Sequence, residues 1–344
     1  MNSTISLLSL LMILTMSCQQ KTKSDQKMET EQATEKVSNM KPGKNKVTFK
    51  SGGETLVGDL YLPSDYVAGK TYPAAPILGP MTFAKEQAPT EYAKRFAERG
   101  FIGLAFDPRY RGESSGTPRE FEDPIAKVED AQAAAHFLAS LPMVNKDEIV
   151  GFAVCQGSSE MLRAVAEDDV FKGIVTVAGH YRDKAADIQW MGTEEALNER
   201  LAAGLAARDA FEKDGEVINV PAVDETRMDV GMPGKFVYDW YIEWANKGVW
   251  ANNYAKMSDA NLLEYESLTA AQKLDKPYMM IHSDNSFLPD AARRQFEAVP
   301  AENKKLQWEG ETGHFQYYDD PKTLDKTAEQ AVAWYESIFE KASM

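Results

Sequence analysis

The chain has 344 residues, 43% of them hydrophobic and 10% aromatic, enough to bury a sizeable core, which excludes a low-complexity or fibrous protein. Its 38 Lys and Arg against 53 Asp and Glu leave a formal net charge of −15, which argues against a nucleic-acid partner, because phosphate binding draws on clustered basic residues. An acidic surface of this kind is common on soluble enzymes and reads first as solubility.

The chain opens with MNSTISLLSLLMILTMSCQQ, an apolar run from Ile5 to Met16 followed by small residues and Cys18. The run is too short to span a bilayer and has the shape of an export signal over residues 1–17. It resembles a bacterial lipoprotein signal, in which the cysteine after the cleavage site is lipidated. That resemblance implies a lipid on Cys18 and an exported protein anchored to a bacterial cell membrane, on its periplasmic or surface side. From Gln19 to about Lys44 the sequence has almost no apolar residues, so residues 18–44 read as a flexible tether. With Cys18 lipidated, Cys155 has no cysteine partner within the chain. Such a thiol is either buried and inert or reactive.

The folded part, residues 45–344, begins with VTFKSGGETLVGDLYLP, whose alternating apolar residues around Gly52 and Gly53 predict a β-hairpin with Val57, Leu60 and Leu62 as packing positions. Strand-like and helix-like segments then alternate. APILGP, FIGLAFD, EIVGFAV and FKGIVTVAG read as strands; PTEYAKRFAERG, IAKVEDAQAAAHFLASL and SSEMLRAVAE read as helices. This alternation implies βαβ units, hence a mostly parallel sheet with helices on both faces and ligands beyond the C-terminal strand ends. Between about His180 and Leu274 the pattern stops, then resumes at KPYMMIHSD. The interruption reads as a mainly helical insertion of roughly a hundred residues, lying over the strand ends as a lid.

In GFAVCQGSS, Cys155 follows an apolar strand and precedes a helix. A turn that exposes its central residue needs small neighbours two before and two after it, and these are Ala153 and Gly157. That is the steric logic of the nucleophile elbow, G-x-S-x-G, with Cys155 in the Ser position. The other register would put Ala153 at the turn and describe an inactive protein; the strand running through Val154 selects Cys155.

From this motif the chain resembles the α/β-hydrolase superfamily over roughly Val47 to the C-terminus, lid included. LAFDPRYRGESSG, KEQAPTEYAKRFAERGF and GHFQYYDDP support the likeness, and within the superfamily it is greatest to dienelactone-hydrolase-like enzymes, where Cys takes the nucleophile position. The resemblance implies nucleophile, acid and His in that chain order. Of four histidines, His136 lies in an amphipathic helix and reads as structural; His180 and His282 follow strands. His314, late and in a loop, is the candidate base. Asp284, just after YMMIH, is the candidate acid; Asp290 is an alternative, as is Asn285, which occupies the spot that alignment to Pro289 favours. The oxyanion donors expected are the backbone N–H of Gln156 and that of Met81 or Thr82, since Pro80 cannot donate. A cysteine beside His at a helix N-terminus is expected to have a depressed pKa.

Lys85 and Glu86 read as a solvated pair, and Arg109 and Arg111 as ties for a loop. The aromatics Tyr238, Trp240, Tyr241, Trp244 and Trp250 line a pocket under the lid or form the lid's own core. No metal-ligand spacing, phosphate cradle or dinucleotide fingerprint is apparent, so no metal or cofactor is expected. The expected activity is cleavage of a small ester, lactone or thioester through an acyl-enzyme on Cys155. A serine-peptidase-like or acyl-transfer member of the same fold is the first alternative. A tethered binding protein with little catalysis is the second.

Overall fold

The structure, a computed structural model, describes residues 40–342. The export signal, Cys18 and most of the tether lie outside the described residues. Strand β1 (Gly43–Ser51) begins within the span read as tether. It pairs antiparallel with β2 (Glu54–Leu62) through the two-residue turn Gly52-Gly53. Both glycines have positive φ, 53° and 85°, the requirement of the hairpin turn whose twist matches its strands.

In chain order there follow β3 (Tyr72–Leu78), α1 (Ala88–Ala97), β4 (Ile102–Phe106), α2 (Pro124–Ser140), β5 (Val144–Ile149), β6 (Gly151–Val154), α3 (Gly157–Glu167) and β7 (Ile174–Val177). Helix α1 ends at Ala97, and Gly100, whose φ is 82°, lets the chain turn back into β4. Helix α2 starts where the Asp123 carboxylate accepts from the N–H groups of Ile125 and Ala126. After the insertion come β8 (Tyr278–His282), which closes the strand pattern, and β9 (Lys304–Trp308) at the edge.

The sheet order is β1-β2-β4-β3-β6-β7-β8-β9, with β5 beside β3. Strand β2 is antiparallel to β4, and the pairs from β4 through β9 are parallel. The run EIVGFAV divides at Val150 into β5 and β6. Strand β9 carries no reading in the sequence, because KKLQW lies half exposed at the edge and lacks an apolar run. Helix α1 packs with the C-terminal helix over Tyr92, Phe96, Phe152 and Tyr335, while α2 packs with α3. The buried Tyr335 hydroxyl donates to Gly151 O (2.7 Å) and accepts from Val175 N (3.1 Å), fixing the base of β6 against β7.

The insertion between β7 and β8 carries α4 (Lys184–Met191), α5 (Glu194–Asp214), α6 (Lys235–Asn246), α7 (Ser258–Glu264) and α8 (Leu268–Ala271), with two pairs of two-residue strands. Beyond β8 lie α9 (Pro289–Ala298), α10 (Gln316–Asp319) and α11 (Pro321–Ala342). Among the described residues no helix is long and apolar enough to cross a membrane.

Candidate active site

Strand β6 ends at Val154 and α3 begins at Gly157, so the turn residue is Cys155 and not Ala153. Its φ is 54°, the left-handed region that a residue with a Cβ enters only when its surroundings hold it there. Its carbonyl accepts from Ser158 N (3.0 Å) and His180 N (2.9 Å). A Cβ at Gly157 would stand 2.5 Å from Gly79 O and 2.9 Å from Leu78 O. Helix α3 therefore approaches the end of β3 as closely as glycine permits, which is the physical content of the small residue two positions after the turn.

The Tyr318 hydroxyl and the backbone N–H groups of Gln156 and Met81 each act to lower the Cys155 pKa, against the desolvation that raises it. Thr82 N–H instead donates to Glu122 Oε1 (3.0 Å), so of the two loop candidates it is Met81 that faces the sulfur. The loop is tied from behind. Thr82 O accepts from Arg111 Nη1 (3.2 Å) and Trp250 Nε1, and Met81 O accepts from the Tyr241 hydroxyl (3.1 Å). Glu122 is fully buried and bonds Arg111 Nε (2.7 Å) and Lys127. Burial pushes its carboxyl pKa upward, but the Lys127 and Arg111 charges outweigh burial and hold it below the ordinary value.

His314 is buried across from this turn. Its Nε2 lies 2.8 Å from the Tyr318 hydroxyl, and its Nδ1 lies 2.8 Å from Ser286 Oγ and accepts from Phe287 N–H at 3.3 Å. Thus Cys155, Tyr318, His314 and Ser286 form a chain of contacts. Asp284 is not in it. That carboxylate is exposed and accepts from Arg293 Nη2 (3.1 Å) and Trp308 Nε1 (2.9 Å). Asn285 donates to Glu311 O (2.9 Å), and Asp290 is exposed on the first turn of α9. The turn after β8 directs Asp284 and Asn285 outward and Ser286 inward, so a hydroxyl meets the imidazole where a carboxylate was expected.

Burial, assisted by His282, lowers the His314 pKa to about 3. The expected depression of the thiol is also absent. Desolvation pushes the Cys155 pKa above its ordinary value, against the hydrogen bonds from Tyr318, Gln156 and Met81. The resting pair is neutral thiol and neutral imidazole.

Cys155 and His314 open on a cavity of about 90 Å³ walled by apolar side chains, among them Met81, Tyr241, Phe287 and Phe315. His180 also borders it, edge-on to Trp190 (5.3 Å) and Phe287 (4.8 Å), with no hydrogen-bond partner at Nε2. The aromatics of α6 serve both expected roles: Tyr241 lines the cavity, and Trp240 stacks on Phe315 (5.2 Å) while its Nε1 donates to Asp319 (2.7 Å). A larger cleft of about 510 Å³ lies behind the Met81 loop, but its charges are paired. There Lys85 is buried rather than solvated, 2.8 Å from each of Asp107, Glu113 and Glu86. Arg109 pairs with Asp130 (2.7 Å) and Glu129 (2.6 Å), the loop-holding role read for it. His136, 2.8 Å from Asp168, joins α2 to the end of α3. Among the described residues no cluster of three or more His, Cys, Asp or Glu is arranged to hold a metal ion.

Ser286, Tyr318 and His180 carry no role in the sequence reading. The one available signal was the spacing of Tyr318, four residues after His314 at the start of a helix, which brings the two side chains to one face.

No family model matches the chain. An uncharacterized protein of Pseudomonas aeruginosa is 46% identical over 132 residues, which span 38% of this chain and 35% of that protein's length. The solved structure of that Pseudomonas protein superposes with a TM-score of 0.73 at 27% identity, covering 86% of this chain and 93% of the other. A thiohydrolase of Eupenicillium brefeldianum is 24% identical over 242 residues, 66% of this chain and 75% of that one. The α/β hydrolase GrgF of Penicillium sp. sh18 has a TM-score of 0.71 at 21% identity over 86% of this chain and 98% of its own. The parallel sheet, the strained strand-to-helix turn at Cys155 and these likenesses together make the chain a protein of the α/β-hydrolase fold.

Proposed function

We propose that the chain is an acyl hydrolase that opens a small thioester, or a related ester or lactone, through an acyl group held on Cys155. The observation that carries this reading is a cysteine held at φ 54° on the turn between a buried strand and a helix, next to the backbone N–H groups of Gln156 and Met81, both of which favour its thiolate. Those two N–H groups are the ones expected to face the oxygen of a carbonyl carbon bonded to the sulfur, the arrangement that stabilises a tetrahedral oxyanion. A Cys at the elbow further relates the chain to the dienelactone-hydrolase-like branch.

In this mechanism the Sγ proton passes to the Tyr318 oxygen as the Tyr318 proton passes to His314 Nε2, and sulfur attacks the carbonyl carbon. The tetrahedral intermediate collapses with loss of the substrate's thiolate, which takes up the proton from Nε2 by the same route. Water, deprotonated by His314, then attacks the acyl carbon and releases the acid with Cys155 restored as a thiol. Thioesters suit the site best. Exchange of one thioester for another is close to balanced, and a thiolate leaves readily, so little is asked of an imidazole without carboxylate support. A cavity of about 90 Å³ is far below the ~300 Å³ lower bound of drug-sized ligand sites, which favours a short acyl group.

Turnover of short-chain thioesters, esters and amides by the purified protein tests the reading. The expected order is thioester above ester above amide, with all turnover lost in Cys155→Ala. Equal turnover in Cys155→Ala would remove Cys155 from the chemistry, and ligand binding without turnover would favour a binding protein.

We also propose, from the sequence of residues 1–18, that the protein is exported and lipid-anchored through Cys18. Cys18→Ala is expected to leave the membrane fraction; a variant that still sediments with membranes would assign the attachment elsewhere.

A further inference from the structure

We propose that His314 rests with its hydrogen on Nε2, held in that tautomer by Ser286 and the Phe287 backbone amide, so that the base is switched off until the imidazole changes tautomer. This inference rests on the reading of Cys155 and His314 as nucleophile and base.

A backbone N–H can only donate, and that of Phe287 is directed at Nδ1 from 3.3 Å. Nδ1 must then present its lone pair. The ring is neutral, since burial lowers its pKa to about 3, so its single hydrogen lies on Nε2 and faces the Tyr318 oxygen at 2.8 Å. With its oxygen accepting from Nε2–H, Tyr318 has its own hydrogen free to turn toward Cys155, which lines the same cavity. Nδ1, Nε2–H and the Tyr318 oxygen are thereby matched. None of them can take the thiol's proton, because Nε2 is occupied.

Ser286 is the positioning residue in this arrangement. In a Ser-His-Asp site the carboxylate accepts from Nδ1–H and frees Nε2 to act as base; loss of that preference costs about 10⁴-fold. A hydroxyl 2.8 Å from Nδ1 enforces no such choice, because it donates to a bare Nδ1 as readily as it accepts from Nδ1–H. The Phe287 amide breaks the tie toward the resting form. Switching moves one proton from Nε2 to water and one from water to Nδ1, with no net change, while the Ser286 hydroxyl rotates from donor to acceptor. Aspartate at position 286 could only accept, and would lock the working tautomer.

The test is nitrogen NMR of the full-length protein labelled with ¹⁵N-histidine, with the His314 signals identified by their loss in His314→Gln. The expected wild-type pattern is a pyridine-type Nδ1 and a pyrrole-type Nε2, reversed in Ser286→Asp, together with at least tenfold faster acylation of Cys155 by an acetyl thioester in that variant. A pyrrole-type Nδ1 in the wild type, or an imidazolium pattern at neutral pH, would overturn the proposal, and this spectrum decides the matter even if Ser286→Asp does not fold. A switched tautomer with an unchanged acylation rate would overturn the claim that the tautomer restrains the base. The expected spectra with no acylation in either protein would uphold the tautomer and sink the hydrolase reading instead.

Discussion

Around Cys155 the chain buries charge: Glu122 with Arg111 and Lys127 braces the loop that carries Met81, and behind it Lys85 lies against Asp107. Around His314 it uses only neutral groups, the Ser286 and Tyr318 hydroxyls and the Phe287 amide. The contrast teaches that this site fixes geometry and protonation by different means. Ion pairs out of water are costly to break and hold a loop still; hydroxyls can reverse the sense of a hydrogen bond without moving an atom heavier than hydrogen. Helix α6 joins the two halves, with Tyr241 on Met81 O and Trp240 on Phe315 and Asp319.

The sharpest way to break the first half is Glu122→Gln. It leaves Lys127 buried without its counter-charge and Arg111 with Glu120 alone; breaking a buried pair typically costs about 3–5 kcal/mol, and the expected outcome is a large fall in melting temperature with loss of thioester turnover. If the variant were as stable as the wild type, the bracing role would be gone. In the second half, Tyr318→Phe removes the hydroxyl beside Nε2 and is expected to slow acylation about 10²-fold, within the range of general acid–base effects, and to cost about 1–3 kcal/mol because the buried Nε2–H of His314 loses its acceptor. An unaltered acylation rate would take Tyr318 out of the proton path. Gly157→Ala drives a Cβ into Gly79 O and should cost about 1–3 kcal/mol, lowering both the melting temperature and the acylation rate.

A further expected effect is on stability against pH. His314 titrates near 3 in the folded chain and His282 near 4, both below the ordinary 6.5, and burial is the leading cause for each. As pH falls below 6.5 the unfolded chain takes up these protons first, so stability is lost between pH 6.5 and about 3 and is full above 6.5. Melting temperatures measured from pH 7 to pH 4 are expected to fall less steeply in His314→Gln than in the wild type. An equally steep fall would contradict a buried neutral His314.

Much of this architecture was legible from local pattern. Apolar runs such as GLAF and YMMI announce strands covered on both faces, and the small residues around Cys155 announce the turn that Gly157 permits. Strand β9 was not legible, because an edge strand that is half exposed needs no apolar run. Neither was Ser286. Reading for a carboxylate leads to Asp284 or Asp290, yet which side chain of a six-residue turn faces inward depends on how β8 meets the His314 loop, a contact between residues 28 positions apart. The raised thiol pKa was hidden for a related reason. The helix terminus and the histidine are visible in sequence; the desolvation that outweighs them is a property of the packed site.

The most direct test of the account is mass spectrometry of the intact protein, and then of its peptides, after brief exposure to a short-chain thioester. The account predicts a single acyl adduct on Cys155, absent from Cys155→Ala and slow to form in His314→Ala. Turnover of the thioester by a folded protein whose Cys155 never carries an acyl group would contradict it.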